Sequence, residues 1–169
     1  MIIELAILGR DPKVIEHAFA AEEIELSEGT RLATPAKFLG EARRDDVRTQ
    51  LRGHISTTVT TDCVRCLEPV DRAVDLDFDD VFIDAENEPT DDEIHVADAD
   101  LDVSILTENR IDLGEIVREQ LILATDEPVV CKEDCKGLCP QCGGNRNLID
   151  CKCEDEQIDP RWAALKNLN

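Results

Sequence analysis

The chain has 169 residues, 42% of them hydrophobic, with four Phe, one Trp, no Tyr and a net charge of −21. That is enough apolar material for one domain-sized core. It is too much negative charge for a protein that coats nucleic acid, because phosphate affinity comes from basic side chains. No stretch approaches the roughly 20 consecutive apolar residues of a membrane helix, so no membrane partner is expected.

Near the start, Ile3, Leu5 and Ile7 alternate with polar or small residues and predict a first strand. The segment carries Glu4 and lacks both a basic region and a cleavage signature, so it reads as a strand rather than a secretory leader, and a cytoplasmic protein is expected. Asp11-Pro12 offers an N-cap followed by Pro at the first helical position, predicting a short helix to about Ala20. Residues 31–43 read as a strand, turned by Asp45-Asp46.

Residues 47–61 give the clearest strand. Val47, Thr49, Leu51, Ile55, Thr57, Val59 and Thr61 share one face, and Arg48, Gln50, Arg52, His54, Ser56 and Thr58 share the other. After Cys63-Val-Arg-Cys66, the residues Val70, Val74, Leu76 and Phe78 alternate with Asp71, Asp75, Asp77 and Asp79. An antiparallel hairpin with sulfurs at its tip follows. Residues 84–102 carry nine acids and no base, a solvated stretch with an edge strand at 94–96. Asp112 caps a helix through Ala124 with Leu113, Ile116, Val117, Leu121 and Ala124 on one face. Asp159-Pro160 opens a last helix bearing Trp162, Leu165 and Leu168. The fold class is α+β: an antiparallel sheet core, a few helices, and a cysteine-rich tail.

The eight cysteines pair off as Cys63/Cys66, Cys131/Cys135, Cys139/Cys142 and Cys151/Cys153. A Cys-x-x-Cys turn aims two sulfurs at one centre, and eight thiols fill two tetrathiolate sites with none left over. A disulfide framework belongs to secreted chains, so two zinc ions are the expected cofactors; thiolate ligands suit iron as well. Cys139, Cys142, Cys151 and Cys153 form a compact set that can close on itself, leaving Cys63 and Cys66 to join Cys131 and Cys135. A rival pairing joins 63/66 with 139/142, as zinc ribbons do; the local scheme is preferred. His17, His54 and His95 lie in no cysteine cluster. Residues 131–169 hold too little apolar material to fold alone, and a structural metal would staple them to the domain of residues 1–130. No phosphate-binding Gly loop, Gly-x-Ser-x-Gly or His-Glu-x-x-His occurs, so no enzyme is expected.

Cys63-Val-Arg-Cys66-Leu-Glu-Pro-Val70 resembles the central motif of the YceD-like family of bacterial and plastid large-subunit ribosomal RNA accumulation proteins. The segment Cys131-x3-Cys135-Lys-Gly-Leu-Cys139-Pro-Gln-Cys142-Gly, then Asn145-Arg-Asn147, Cys151-Lys-Cys153 and Asp159-Pro-Arg-Trp-Ala-Ala-Leu165, is similar to its C-terminal signature. The resemblance covers about residues 40–168. It implies a non-enzymatic, metal-binding factor supporting 23S rRNA accumulation or processing and large-subunit biogenesis, with precursor 23S rRNA or a pre-ribosomal particle as partner. The alternative is an acidic protein-interaction module that engages a basic ribosomal protein without touching RNA. If RNA is contacted, Arg48 and Arg52 on the polar strand face, with Arg43, Arg44 and Arg65 nearby in sequence, are the expected contacts.

Overall fold

The computed structural model describes residues 1–87, 103–106 and 108–153. The edge strand expected at 94–96, most of the acidic stretch and the last helix lie outside the described residues.

Among the described residues the strands are β1 (Ile2–Glu4), β2 (Lys13–Phe19), β3 (Thr30–Leu32), β4 (Ala36–Arg44), β5 (Arg48–Asp62), β6 (Pro69–Asp84), β7 (Val103–Leu106) and β8 (Arg110–Asp112), followed by helix α1 (Leu113–Thr125). The long alternation read at 47–61 and 70–78 forms the β5–β6 hairpin, in antiparallel register from Arg48↔Ile83 to Asp62↔Pro69. At about 3.3 Å per residue, β5 alone spans roughly 45 Å. Its two ends are therefore separate places on the molecule.

The main sheet runs β2-β4-β5-β6-β7, antiparallel except for the parallel β6–β7 pair, with β3 also pairing β5. The strand expected over 31–43 is split into β3 and β4, because Pro35 has no N–H for the ladder. Thr34 bridges the gap: its hydroxyl accepts from the Thr58 N–H at 2.9 Å and its carbonyl from the Thr57 hydroxyl at 2.9 Å. β1 and β8 form a separate two-stranded ladder.

Two early expectations are overturned. Residues 13–19 are strand β2, not helix: Ile15 and Phe19 are buried with half-buried His17 between them, so the two-residue period outweighs the Asp11-Pro12 cap signal. The first strand stops at Glu4, where the ladder with β8 ends, and Leu5–Ile7 turn in a 3₁₀ helix.

The core lies between the inner sheet face and α1. Phe38, Ala42, Leu51, Ile55, Val59, Val74 and Phe82 from the sheet meet Leu113, Val117 and Leu121 from the helix. Asp112 caps α1 through Oδ1, which accepts from the Gly114 N–H at 2.9 Å, as the sequence indicated. Truncating Leu51, fully buried on β5, to Ala would cost about 2–5 kcal/mol.

Candidate metal centres

The two Cys-x-x-Cys knuckles have the same backbone. In the first, at the tip of the β5–β6 hairpin, Leu67 N–H donates to the Cys63 carbonyl and Cys63 N–H to the Glu68 carbonyl, both at 2.9 Å. In the second, Gly143 N–H donates to the Cys139 carbonyl and Cys139 N–H to the Gly144 carbonyl, both at 2.8 Å. Each loop needs a left-handed residue after its second cysteine. Gly143 supplies φ 70 freely, whereas Leu67 adopts φ 59, a conformation costing roughly 1–2 kcal/mol for a residue with a Cβ.

The tail wraps onto the hairpin tip through backbone bonds. Val64 N–H donates to Val129 O and Leu138 N–H to Arg65 O, both at 2.9 Å. Arg65 answers with its guanidinium, Nη1 donating to the carbonyls of Glu133 and Cys135 at 3.2 Å each. Gly137 permits this approach: its φ is 70, and a Cβ there would lie 2.9 Å from Arg65 O.

These contacts gather the thiols into two quartets, Cys63/Cys66/Cys131/Cys135 and Cys139/Cys142/Cys151/Cys153, with the sulfurs of each within 4.8 Å of one another. Cys63···Cys135 is 3.9 Å, Cys66···Cys131 3.6 Å, Cys142···Cys151 3.6 Å and Cys139···Cys151 3.3 Å. A disulfide would require about 2.05 Å. A tetrahedral ion with metal–sulfur bonds near 2.3 Å separates its ligands by about 3.8 Å, which these spacings match. Either quartet can hold a metal ion. In the first, Cys63, Cys66 and Cys135 are buried; in the second only Cys139 is.

The electrostatics of the thiols fit a cation as well. Burial pushes the Cys63 thiol up, but the N–H groups of Cys131, Arg65 and Cys66 outweigh it and bring it down to about 6. The N–H groups of Cys142 and Gln141 bring Cys139 down to about 6. Burial and the neighbouring thiols push Cys131 up to about 12, and the Cys151, Cys142 and Cys139 thiols do the same to Cys153. Each quartet thus holds a thiol that ionises readily beside one that resists ionisation, and a dication removes that resistance.

Sequence reasoning gave Asn145 and Asn147 no role. Asn147 Nδ2 donates to Cys135 Sγ at 3.3 Å, and its Oδ1 accepts from the Lys136 N–H at 2.9 Å. Asn145 Oδ1 accepts from both Asn147 N and Nδ2, while its Nδ2 reaches Glu68 Oε1 at 3.1 Å. This pair ties the second knuckle's loop to the first quartet. Such partners of metal ligands orient them and tune their charge.

The histidines stay apart from both quartets: His17 packs edge-on to Phe19, His54 lies between Asp75 and Asp77, and His95 is outside the described residues. The five candidate arginines do not form one patch. Arg65 is at the knuckle tip, a strand's length from Arg48. Arg52 is paired with Glu41, and β6 places Asp79 opposite it and Asp77 opposite His54, so the outer sheet face there is acidic. Arg43, Arg44 and Arg48 do converge, at the β4–β5 turn. They line one cleft with Asp45, Gln50, Val81 and a fourth arginine, Arg10, which sequence reasoning missed.

A family model described as large ribosomal RNA subunit accumulation protein YceD matches residues 51–169. An uncharacterized protein of Mycobacterium tuberculosis is 32% identical over 123 residues, covering 67% of this chain and 52% of its own. The uncharacterized protein YlbN of Bacillus subtilis is 28% identical over 154 residues, covering 87% of this chain and 85% of its own. Maize large ribosomal RNA subunit accumulation protein YCED homolog 1, chloroplastic, is 27% identical over 155 residues, 78% of this chain and 53% of its own. The chain spans about half the length of the mycobacterial and maize relatives. No solved structure gives a significant match.

Proposed function

The chain belongs to the YceD family of large ribosomal RNA subunit accumulation proteins, and from that membership and the paired thiol quartets we propose that it is a metal-clamped assembly factor for the large ribosomal subunit. It supports accumulation of 23S rRNA without catalysing a reaction, acting in the cytoplasm on the precursor RNA or the pre-ribosomal particle. Zinc fills both quartets. Cys63, Cys66, Cys131 and Cys135 bind one ion and Cys139, Cys142, Cys151 and Cys153 the other, joining residues 131–169 to the domain of residues 1–130. The carrying observation is the first quartet, whose sulfurs come from two segments brought to one point and spaced for a tetrahedral ion.

Metal has a structural role on this reading. A closed set of four thiolates leaves no coordination position for substrate. Binding of zinc to such a set contributes roughly 10–16 kcal/mol in small peptides, comparable to the whole stability of a domain. No described helix is long and apolar enough to cross a membrane.

The acidic outer face favours a second partner. Asp71, Asp75, Asp77 and Asp79 stand on one side of β6, and a basic ribosomal protein is the complement of that stripe. Affinity capture from lysate with and without RNase separates the two. The RNA-dependent reading predicts co-purifying large-subunit precursors that are lost on digestion. A basic protein retained after RNase supports the second partner instead. In cells lacking the native protein, 23S rRNA should recover with the wild-type chain and not with Cys63→Ser/Cys66→Ser. Full recovery with that variant would refute the metal clamp.

A further inference from the structure

A chain with a net charge of −21 should on the whole repel phosphate, yet one cleft among the described residues gathers four arginines. Arg10, Arg43, Arg44 and Arg48 line a cleft of about 370 Å³ at the β4–β5 turn, and a single acid, Asp45, joins them in its wall.

The fold assembles this place from two distant parts of the chain. Arg44 N–H donates to Gly9 O at 2.8 Å, which brings Arg10 beside a turn it does not neighbour in sequence. Asp45 makes the turn itself: its Oδ1 accepts from the Val47 and Arg48 N–H groups at 2.9 and 2.7 Å. Those two N–H groups hold its carboxyl below the usual range.

Arg44, Arg43 and Arg10 are held differently. Arg44 is a fixed wall, with Nη2 on Asp84 at 2.6 Å and Nη1 on Thr49 at 3.4 Å. Arg43 is steered by a neutral group, Nε donating to Gln50 Oε1 at 2.8 Å, which leaves its charge uncompensated by that contact. Gln50 is anchored in turn on Asp79 at 2.6 Å. Arg10 meets Asp46 at 2.9 Å with both side chains exposed, a contact that contributes little and gives way readily to a stronger anion.

We propose that this cleft binds the phosphodiester backbone of RNA, through Arg10, Arg43 and Arg48, with Arg44 as its structural wall. Guanidinium groups grip phosphate oxygens in two-point hydrogen bonds, and an RNA backbone presents such oxygens in series. The site rests on the RNA-dependent reading above and gives it an address, at the opposite end of the β5–β6 hairpin from the first thiol quartet. The acidic face between them would keep RNA off the middle of the sheet.

The test uses the zinc-loaded 169-residue chain and a labelled transcript of 23S rRNA in a binding titration at several salt concentrations. Arg10→Glu/Arg43→Glu/Arg48→Glu is compared with Arg31→Glu/Lys37→Glu/Arg110→Glu, which makes the same change in net charge elsewhere. Three lost contacts on single-stranded RNA should flatten the slope of log affinity against log salt by about 2, and weaken binding about tenfold or more. The control triple should keep the wild-type slope. The milder Arg10→Gln/Arg43→Gln/Arg48→Gln variant should also lose slope, and far-UV circular dichroism should show all three folded. Equal binding by the wild type and both cleft variants overturns the cleft and leaves the RNA-dependent function standing. No binding by the wild type overturns both. Displacement of the transcript by millimolar inorganic phosphate would assign the cleft to free phosphate and overturn the RNA assignment.

Discussion

Cys63 and Cys135 are 72 residues apart in the chain, and their sulfurs lie 3.9 Å apart. Closing a flexible loop of that length costs roughly 4 kcal/mol of chain entropy, which a four-thiolate metal site exceeds. The backbone bonds between Val64, Arg65 and the tail prepare the meeting, and the metal fixes it.

The two quartets should fail independently. Cys142→Ser should remove one metal ion and raise amide exchange only around residues 139–153. Cys66→Ser should remove the other and expose the Val64–Val129 and Arg65–Leu138 backbone bonds, freeing the tail from the hairpin. Metal analysis with hydrogen exchange checks both. Loss of the same single ion in both variants would mean that the knuckles share a site.

Leu67 carries backbone strain that its counterpart Gly143 avoids. Leu67→Gly should stabilise the metal-bound protein by up to about 1 kcal/mol, the left-handed cost less the extra freedom of Gly when unfolded. Gly143→Leu should destabilise by about 1–2 kcal/mol through backbone conformation, since nothing lies within 4 Å of a Cβ there. Chelator-challenge and denaturant midpoints read both. A destabilised Leu67→Gly would show that the Leu67 side chain makes a contact worth more than the strain.

Gly40 and Gly53 face each other across β4 and β5, with the Phe38 ring against both. A Cβ at Gly53 would meet Phe38 Cε2 at 2.3 Å, and one at Gly40 would meet the Arg52 carbonyl oxygen at 2.3 Å. Either Ala variant should cost about 1–3 kcal/mol. Phe38→Leu should partly rescue Gly53→Ala, where a side chain obstructs, and not Gly40→Ala, where backbone does. Denaturant unfolding of the double variants tests this, and equal rescue at both sites would contradict it.

How much of this was legible depended on pattern length. The β5–β6 hairpin and α1 could be read because each repeats its period over many residues, and the thiol spacing announced two quartets. β2 was misread because a two-residue cap signal competed with an alternation of only Ile15, His17 and Phe19. The grouping of the arginines was legible only in part for another reason: register decides which acids stand opposite. Arg52 looked like part of a basic face until β6 set Asp79 beside it, and Arg10 joined the cleft through a hydrogen bond no sequence pattern encodes.

His54 should titrate high. Asp77 accepts a hydrogen bond from its ring, and Asp75 lies close by, raising it above its ordinary 6.5 against the opposing effect of burial. Folding thus favours the charged imidazole. Its contribution to stability is complete below 6.5 and is lost as pH rises through the folded value. An NMR titration should place the midpoint above 6.5 and move it down in Asp77→Asn; a midpoint at or below 6.5 would contradict the pairing.

Metal content with thiol accessibility tests the central claim most directly. Protein purified without oxygen should hold close to two zinc ions, one per quartet. All eight cysteines should resist alkylation until chelator is added, then react with loss of order in the tail. Metal-free protein with freely reactive thiols and an unchanged fold would contradict the account.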